Sequence, residues 1–292
     1  MVEFEVQLDQ YINRINRFLA EYLVPSDCKQ QSVLEAMAYS VEAGGKRIRP
    51  VLTLELCRLC GGDTEKALPF AAAVELVHSY SLIHDDLPCM DNDDFRRGKP
   101  SCHKAFGEAT ALLAGDGLLT EAFRLLTQAE LPADRIVKAV AKLSDYAGVY
   151  GMIGGQVIDL ESEGKRIDAK TLELTYRLKT AALLQTACEL GCIAAGAGEE
   201  KLAAAHIYAE KLGIAFQIVD DILDVEGDSE TLGKPVGSDA ENDKRTYVAL
   251  FGLERAREDA REYAGAAMAC LDTFGEHEFL TALTNMLLKR KK

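Results

Sequence analysis

Apolar residues recur every three to four positions along almost the whole chain, the spacing that lines one face of an α-helix. Residues 4–22 set the pattern with Phe4, Leu8, Tyr11, Ile12, Ile15, Phe18 and Leu19. The same period predicts helices over 32–43, 50–60, 65–86, 108–129, 134–148, 150–162, 170–195, 199–225, 243–271 and 276–290. Breaks fall at Gly44-Gly45, Gly61-Gly62, Arg97-Gly98-Lys99-Pro100, Leu131-Pro132 and Gly164. Alternating β-type runs are absent, as is any Gly/Ser/Pro linker, so an all-α chain with a single domain over 1–292 is expected. Two helices are apolar nearly all round in their C-terminal halves, Val74–Ile83 and Leu212–Val219, which marks them as central. Each of these runs ends in a pair of aspartates.

Composition narrows the function. With 292 residues, 48% of them apolar, the chain can build a large core. Its formal charge of −14 repels nucleic acid and anionic lipid heads, and would equally repel an anionic substrate. A phosphate compound would therefore need local cations or metal ions. Among the eight cysteines, Cys57 and Cys60 form a CxxC that no second pair completes into a zinc site. Cys188 and Cys192 read as small core residues. No disulfide framework or signal-type N-terminus is visible, so a reducing, cytoplasmic setting is expected. No run of about 18 apolar residues offers a membrane span.

The chemistry concentrates in two acidic clusters. The first is His84-Asp85-Asp86-Leu-Pro-Cys-Met-Asp91-Asn-Asp93-Asp94, and the second is Gln217-Ile-Val-Asp220-Asp221-Ile-Leu-Asp224. Asp220 and Asp224 are four apart and share a helix face. Pro88 should end the first helix and let the chain fold Asp91 back beside Asp85. Carboxylates without Cys or His partners suit Mg²⁺, which keeps waters and shares substrate phosphates. A solvated acidic surface would account for Asp93 and Asp94. It does not account for paired aspartates at the ends of core helices, which repel one another unless a cation neutralises them. Two such pairs suggest two halves of one metal-binding mouth.

Basic motifs accompany them. Gly44-Gly45-Lys46-Arg47-Ile48-Arg49-Pro50 sets three cations beside a Gly pair that permits close backbone approach, and Arg96-Arg97-Gly98-Lys99 follows the first cluster directly. Arginine matches phosphate oxygens bidentately and lysine supplies a point charge. Lys179, Lys234 and Lys244 lie at or near helix ends around the second cluster. Taken singly, each could be an ordinary surface lysine.

From Gly45 to Pro50, Ser81 to Pro100 and Phe216 to Asp224, the chain resembles a trans-polyprenyl diphosphate synthase. It is similar in particular to the bacterial short-chain farnesyl and geranyl diphosphate synthases, over about residues 30 to 250. The resemblance implies a bundle of roughly a dozen helices around a central active-site cavity, usually a homodimer. It implies Mg²⁺-assisted head-to-tail condensation of isopentenyl diphosphate with an allylic diphosphate such as dimethylallyl or geranyl diphosphate. By position, Asp85 and Asp91 would hold two of about three metal ions and Asp220 another, with Asp86, Asp221 and Asp224 supporting them. Arg96, Lys179 and Lys234 would hold the allylic diphosphate, and Lys46, Arg49, His78 and Arg97 the isopentenyl diphosphate. Thr180, Gln217 and Lys244 would line the site beside the forming carbocation. Without the resemblance, His78 reads as a satisfied core histidine. Two details depart from or qualify the pattern. Val248 stands where relatives often carry Pro, and the basic tail Lys289–Lys292 is either a closing element or a solvated end.

Tyr80 and Ser81 lie five and four residues before Asp85, about one turn or roughly 5.4 Å below it, a length comparable to one isoprene unit. A bulky Tyr80 on the cavity wall would stop chain growth early, predicting a farnesyl product, with geranylgeranyl diphosphate as the alternative. Three other functions fit less well. A terpene cyclase would not need the second cation set, a Mg²⁺-dependent phosphohydrolase would need an activated nucleophile, and a non-catalytic regulatory paralogue would not keep both aspartate clusters.

Overall fold

The computed structural model describes residues 2–25, 27–226 and 246–289, and they form two compact units: residues 2–140 with 193–196, and 141–192 with 197–289. The all-helical expectation holds. The first unit contains α1 (Val2–Tyr22), α2 (Gln31–Glu42), α3 (Ile48–Leu59), α4 (Leu68–Asp85), α5 (Cys102–Phe106), α6 (Glu108–Thr127) and the first half of α7 (Ala133–Ala147). Helix α4 is its axis, packed chiefly on α6 and flanked by α1, α2 and α3. Phe70, Val74, Leu76 and Val77 on α4 are wholly excluded from water, each contributing about 1.5–3 kcal/mol by burial.

The second unit runs from the rest of α7 through α8 (Met152–Ser162), α9 (Ala169–Thr175), α10 (Ala182–Ala195), α11 (Glu199–Glu226), α12 (Tyr247–Phe251), α13 (Leu253–Ala269) and α14 (Glu278–Leu288). Its axis is α11, packed mainly on α13. Ile214, Ile218 and Val219 of α11 share a core cluster with Leu172, Tyr176, Ala256 and Ala260.

Four local features differ from the periodicity. The expected helix over 170–195 is interrupted by a π-helical turn at Tyr176–Ala181. The expected helix over 243–271 breaks at Gly252 and finishes as a 3₁₀ turn over Cys270–Phe274, while 243–245 lie outside the described residues. Helix α4 starts at Leu68, with Pro69 in its first turn, rather than at residue 65. Finally, a short hairpin and α5 occupy the stretch before α6. The strands β1 (Phe95–Arg96) and β2 (Lys99–Pro100) pair antiparallel through Arg97-Gly98, both with positive φ, as a two-residue primed turn requires. Strands of two residues each and a helix of five are too short to carry a period that a pattern can detect.

One buried ion pair fixes the entry to α3. Arg47 takes a left-handed conformation at the helix start and turns its guanidinium inward to Glu75 (2.6 Å), the Val41 carbonyl (2.6 Å) and Asn16 (2.9 Å). Arg47 is 4% exposed and Glu75 1%. Removing one partner strands a buried charge, so Arg47→Ala is expected to cost about 3–5 kcal/mol in urea unfolding. Replacing both residues with apolar ones of similar volume should restore most of that loss.

Candidate functional site

The first aspartate cluster begins where α4 ends. Asp85 is its last residue, and the Asp91 N–H donates to the Asp85 carbonyl at 2.8 Å, the fold-back expected from Pro88. Neighbouring positions on a helix end point about 100° apart, so Asp85 and Asp86 diverge. Asp85 is half-buried and Asp91 exposed, whereas Asp86 is only 2% exposed. Asp86 Oδ1 accepts from both Nε and Nη2 of Arg96, and Arg96 also reaches Asp93 at 3.0 Å. Burial opposes the Arg96 charge, but its bonds to Asp86 outweigh this and raise its pKa. Arg96 is thus already a partner of carboxylates.

Of the three cations at 46–49, only Arg47 turns into the core, while Lys46 is exposed and Arg49 half-buried. The Gly pair permits the close approach expected of it, and the group that approaches is Arg97. Its guanidinium lies against Gly45 and donates to the Gly44 carbonyl. Arg49, Arg97 and His78 then form an under-neutralised nest. Burial, with Arg97 nearby, pushes Arg49 down to about 10 against the pull of Glu75. Burial, Arg47 and Arg96 lower Arg97, again opposed by Glu75. Burial and the four surrounding arginines hold His78 well below its ordinary range, so it is neutral. Such a set holds more positive charge than its carboxylates balance, which is the electrostatic signature of an anion site.

Tyr80 is 5% exposed, its ring edge-on to His84 at 5.7 Å, and burial with Asp85 pushes its phenol up to about 12. Its hydroxyl has no hydrogen-bond partner among the described residues. Ser81 donates to the His78 carbonyl at 2.9 Å.

In the second unit, a cavity of about 160 Å³ brings together four of the expected residues, Lys179, Thr180, Gln217 and Asp221. The π turn positions the first two. It fits because Gly155 of α8 packs directly on the Lys179 backbone and Gly213 of α11 on Ala181; a Cβ at either glycine would collide there. Lys179 Nζ pairs with Asp159 at 2.5 Å, and Thr180 Oγ1 donates to Gln217 Oε1. Asp220 is half-buried, while Asp221 and Asp224 are buried. Asp221 accepts from the Tyr176 hydroxyl and the Tyr247 N–H. Lys234 and Lys244 lie outside the described residues, as does the tail beyond Lys289.

Sequence reasoning missed Asp159 and Tyr176. The Gly154-Gly155 pair inside a helical pattern was the one available signal of a close approach there. Among the described residues, no three His, Cys, Asp or Glu side chains converge as a ready-made metal cage. Half-exposed and exposed carboxylates with hard oxygen donors suit an ion that brings its own waters and shares a diphosphate.

A family model described as polyprenyl synthetase matches residues 30–282. The chain belongs to the polyprenyl synthetase family. It is 43% identical to the farnesyl diphosphate synthase of Escherichia coli over the full length of both chains. It is 45% identical to a chloroplastic geranylgeranyl pyrophosphate synthase of Capsicum annuum, across 93% of this chain and 74% of that one. Among solved structures, an FPP/GFPP synthase from Zymomonas mobilis superposes with a TM-score of 0.88 at 36% identity, covering 98% of this chain and 99% of that chain. These likenesses to isoprenyl synthases agree with the fold class expected from the sequence.

The neutral His78 has a measurable consequence. Its folded pKa is depressed below the unfolded value near 6.5, so the unfolded chain takes up the proton first as pH falls. Stability should therefore decline from about pH 6.5 downward, and His78→Gln should flatten that decline. Urea unfolding at pH 7.5 and 5.5 checks it; equal slopes in both proteins would show that folding leaves the His78 pKa where it was.

Proposed function

We propose that this chain is a prenyltransferase that condenses isopentenyl diphosphate with dimethylallyl and geranyl diphosphates to give farnesyl diphosphate. The observation that carries the reading is the neighbouring of carboxylates and under-neutralised cations on the same elements: Asp85 and Asp91 at the end of α4, which also bears His78 of the Arg49–Arg97 nest. Full-length likeness to a farnesyl diphosphate synthase supports it. Lys46, Arg49, His78 and Arg97 are proposed to hold isopentenyl diphosphate. Arg96, Lys179 and Lys234 are proposed to hold the allylic diphosphate, Arg96 doing so while it also orients Asp86 and Asp93.

Asp85, Asp91 and Asp220, with Asp224 beside the last, are proposed to hold Mg²⁺ ions, about three in all. When bound, Mg²⁺ supplies charge neutralisation to the leaving diphosphate. The chain's part is to hold that diphosphate while its C–O bond ionises and to set the alkene of isopentenyl diphosphate beside the allylic carbon. Thr180 and Gln217, joined by a hydrogen bond, would present oxygen dipoles and exclude water around the cation, and Lys244 is proposed to line the site beside it. The released diphosphate can remove the proton, so no dedicated protein base is required.

A homodimer is proposed. Leu112 and Leu113 on α6, 46% and 54% exposed, supply an apolar face for a second copy. Eight free thiols support a reducing, cytoplasmic setting. No helix of the described residues is long and apolar enough to cross a membrane.

Incubation with isopentenyl and geranyl diphosphates plus Mg²⁺ should yield farnesyl diphosphate, and a chelator should abolish it. Absence of any longer prenyl diphosphate would reject the reading. Asp85→Ala and Asp220→Ala should each lower turnover by about 10²-fold or more with helicity retained by circular dichroism. The fifteen-carbon assignment rests on Tyr80, whose buried ring sits one turn before Asp85. Tyr80→Ala should shift product toward twenty carbons and beyond, and an unchanged distribution by chromatography would remove Tyr80 as the determinant. Geranylgeranyl diphosphate from the unaltered chain would favour the second reading, to which the Capsicum likeness points.

A further inference from the structure

A second, larger cavity opens between α11, α13 and α14. Its volume is about 540 Å³, and it shares no lining residue with the cavity that holds Lys179 and Thr180. Sites for small ligands run from about 300 to 1,000 Å³. On α11 it is lined by Val219, Ile222 and Leu223. Successive helix positions turn by about 100°, so these three share a face that Asp220, Asp221 and Asp224 do not. On α13, Ala260 and Ala264 lie one turn apart and are each 6% exposed, and their small side chains leave a trough that Met268 and Leu288 extend.

The rim differs in charge from the rest of the molecule. The chain has 47 acidic residues against 33 basic ones. Yet among the described residues that line this cavity none is acidic and three are basic, Arg257, Arg261 and Lys289. Arg257 is already committed, donating to Glu254 at 2.6 Å and to Glu226. Arg261 and Lys289 are exposed and have no ion pair among the described residues.

We propose that this cavity binds a single-chain anionic amphiphile of the fatty-acid type. Its alkyl chain would lie on Leu223, Ala264 and Met268, and its carboxylate would meet Arg261 and Lys289. A run of methylenes needs an apolar trough, and a guanidinium fork matches a carboxylate bidentately. A metal-bound diphosphate fits less well, because no lining carboxylate is there to carry its cations. The site is thus of a different ligand class from the aspartate clusters, and it does not depend on the prenyltransferase reading.

The test is calorimetric titration of the full chain at pH 7.5 with dodecanoate, kept below its micelle concentration. One site is expected, and each methylene added between octanoate and dodecanoate should tighten binding about two- to fourfold. Arg261→Glu should weaken dodecanoate about tenfold or more. Ala264→Phe, which fills the trough, should do about the same. No binding to wild type overturns the proposal. Affinity within twofold of wild type in either variant also overturns it, since the chain would then lie elsewhere on the protein. Equal affinity for dodecyltrimethylammonium would remove the cationic rim from the account and reject the assignment. Dodecyl phosphate bound more than tenfold tighter than dodecanoate would assign the head to a phosphate and reject the carboxylate. Loss of oligomer mass in sedimentation when dodecanoate is added would show that a second copy covers the groove, which is equally fatal. If Ala264→Phe does not fold by circular dichroism, the exposed Arg261→Glu decides alone. The readout needs neither Mg²⁺ nor a diphosphate, so it stands whether or not the chain forms farnesyl diphosphate.

Discussion

Like charges cannot share a dry site without a counter-charge, and both ends of this chemistry are built from like charges. At the end of α4 the chain carries Asp85 and Asp86 and folds back to bring the Asp91 N–H to the Asp85 carbonyl; nearby, Arg47, Arg49, Arg96 and Arg97 surround His78. The structure resolves part of this internally. Arg47 is given to Glu75 and Arg96 to Asp86, each as a buried or half-buried pair. Arg49 and Arg97, which burial opposes and Glu75 only partly offsets, remain as a local excess of positive charge. A chain with a formal charge of −14 can bind an anion only through this kind of local excess.

The internal pairs also set geometry. Arg47 anchors the start of α3, so its neighbour Arg49 is presented from a fixed backbone and not from a loose loop. Arg97 lies against Gly45 and ties the hairpin to the segment that leads into α3. In the second unit the same logic recurs with different groups: each polar side chain of the π turn that borders the cavity has a partner, Tyr176 on Asp221, Lys179 on Asp159 and Thr180 on Gln217. A site held this way loses little side-chain entropy when it binds.

Much of this was legible in the sequence, and the limits are physical. Helical period found α4 and α11 and placed an aspartate pair at the end of the apolar run of each, because an all-round apolar run is a strong signal of a central helix. Proline chemistry anticipated the fold-back that brings Asp91 to the Asp85 carbonyl. Three consecutive motif cations, however, look alike on paper. The left-handed backbone at Arg47 decides which one faces inward, and no periodicity encodes that. The π turn was invisible for a related reason: one extra residue in a turn leaves the apolar spacing of 170–195 nearly unchanged, and only packing against Gly155 and Gly213 reveals it.

The adjacent aspartates, by contrast, carried information that residue type alone conceals. Two neighbours on one helix cannot face the same way, so in each pair one carboxylate must turn toward protein and the other toward the solvent side. Asp86 is buried on Arg96 while Asp85 is half-buried; Asp221 is buried on Tyr176 and Tyr247 while Asp220 is half-buried. The same division where each apolar run ends leaves one carboxylate of each pair bonded into the protein and its neighbour nearer the solvent. The buried carboxylate ties its helix to the segment beside it, Asp86 to Arg96 of the hairpin and Asp221 to the π turn that carries Lys179.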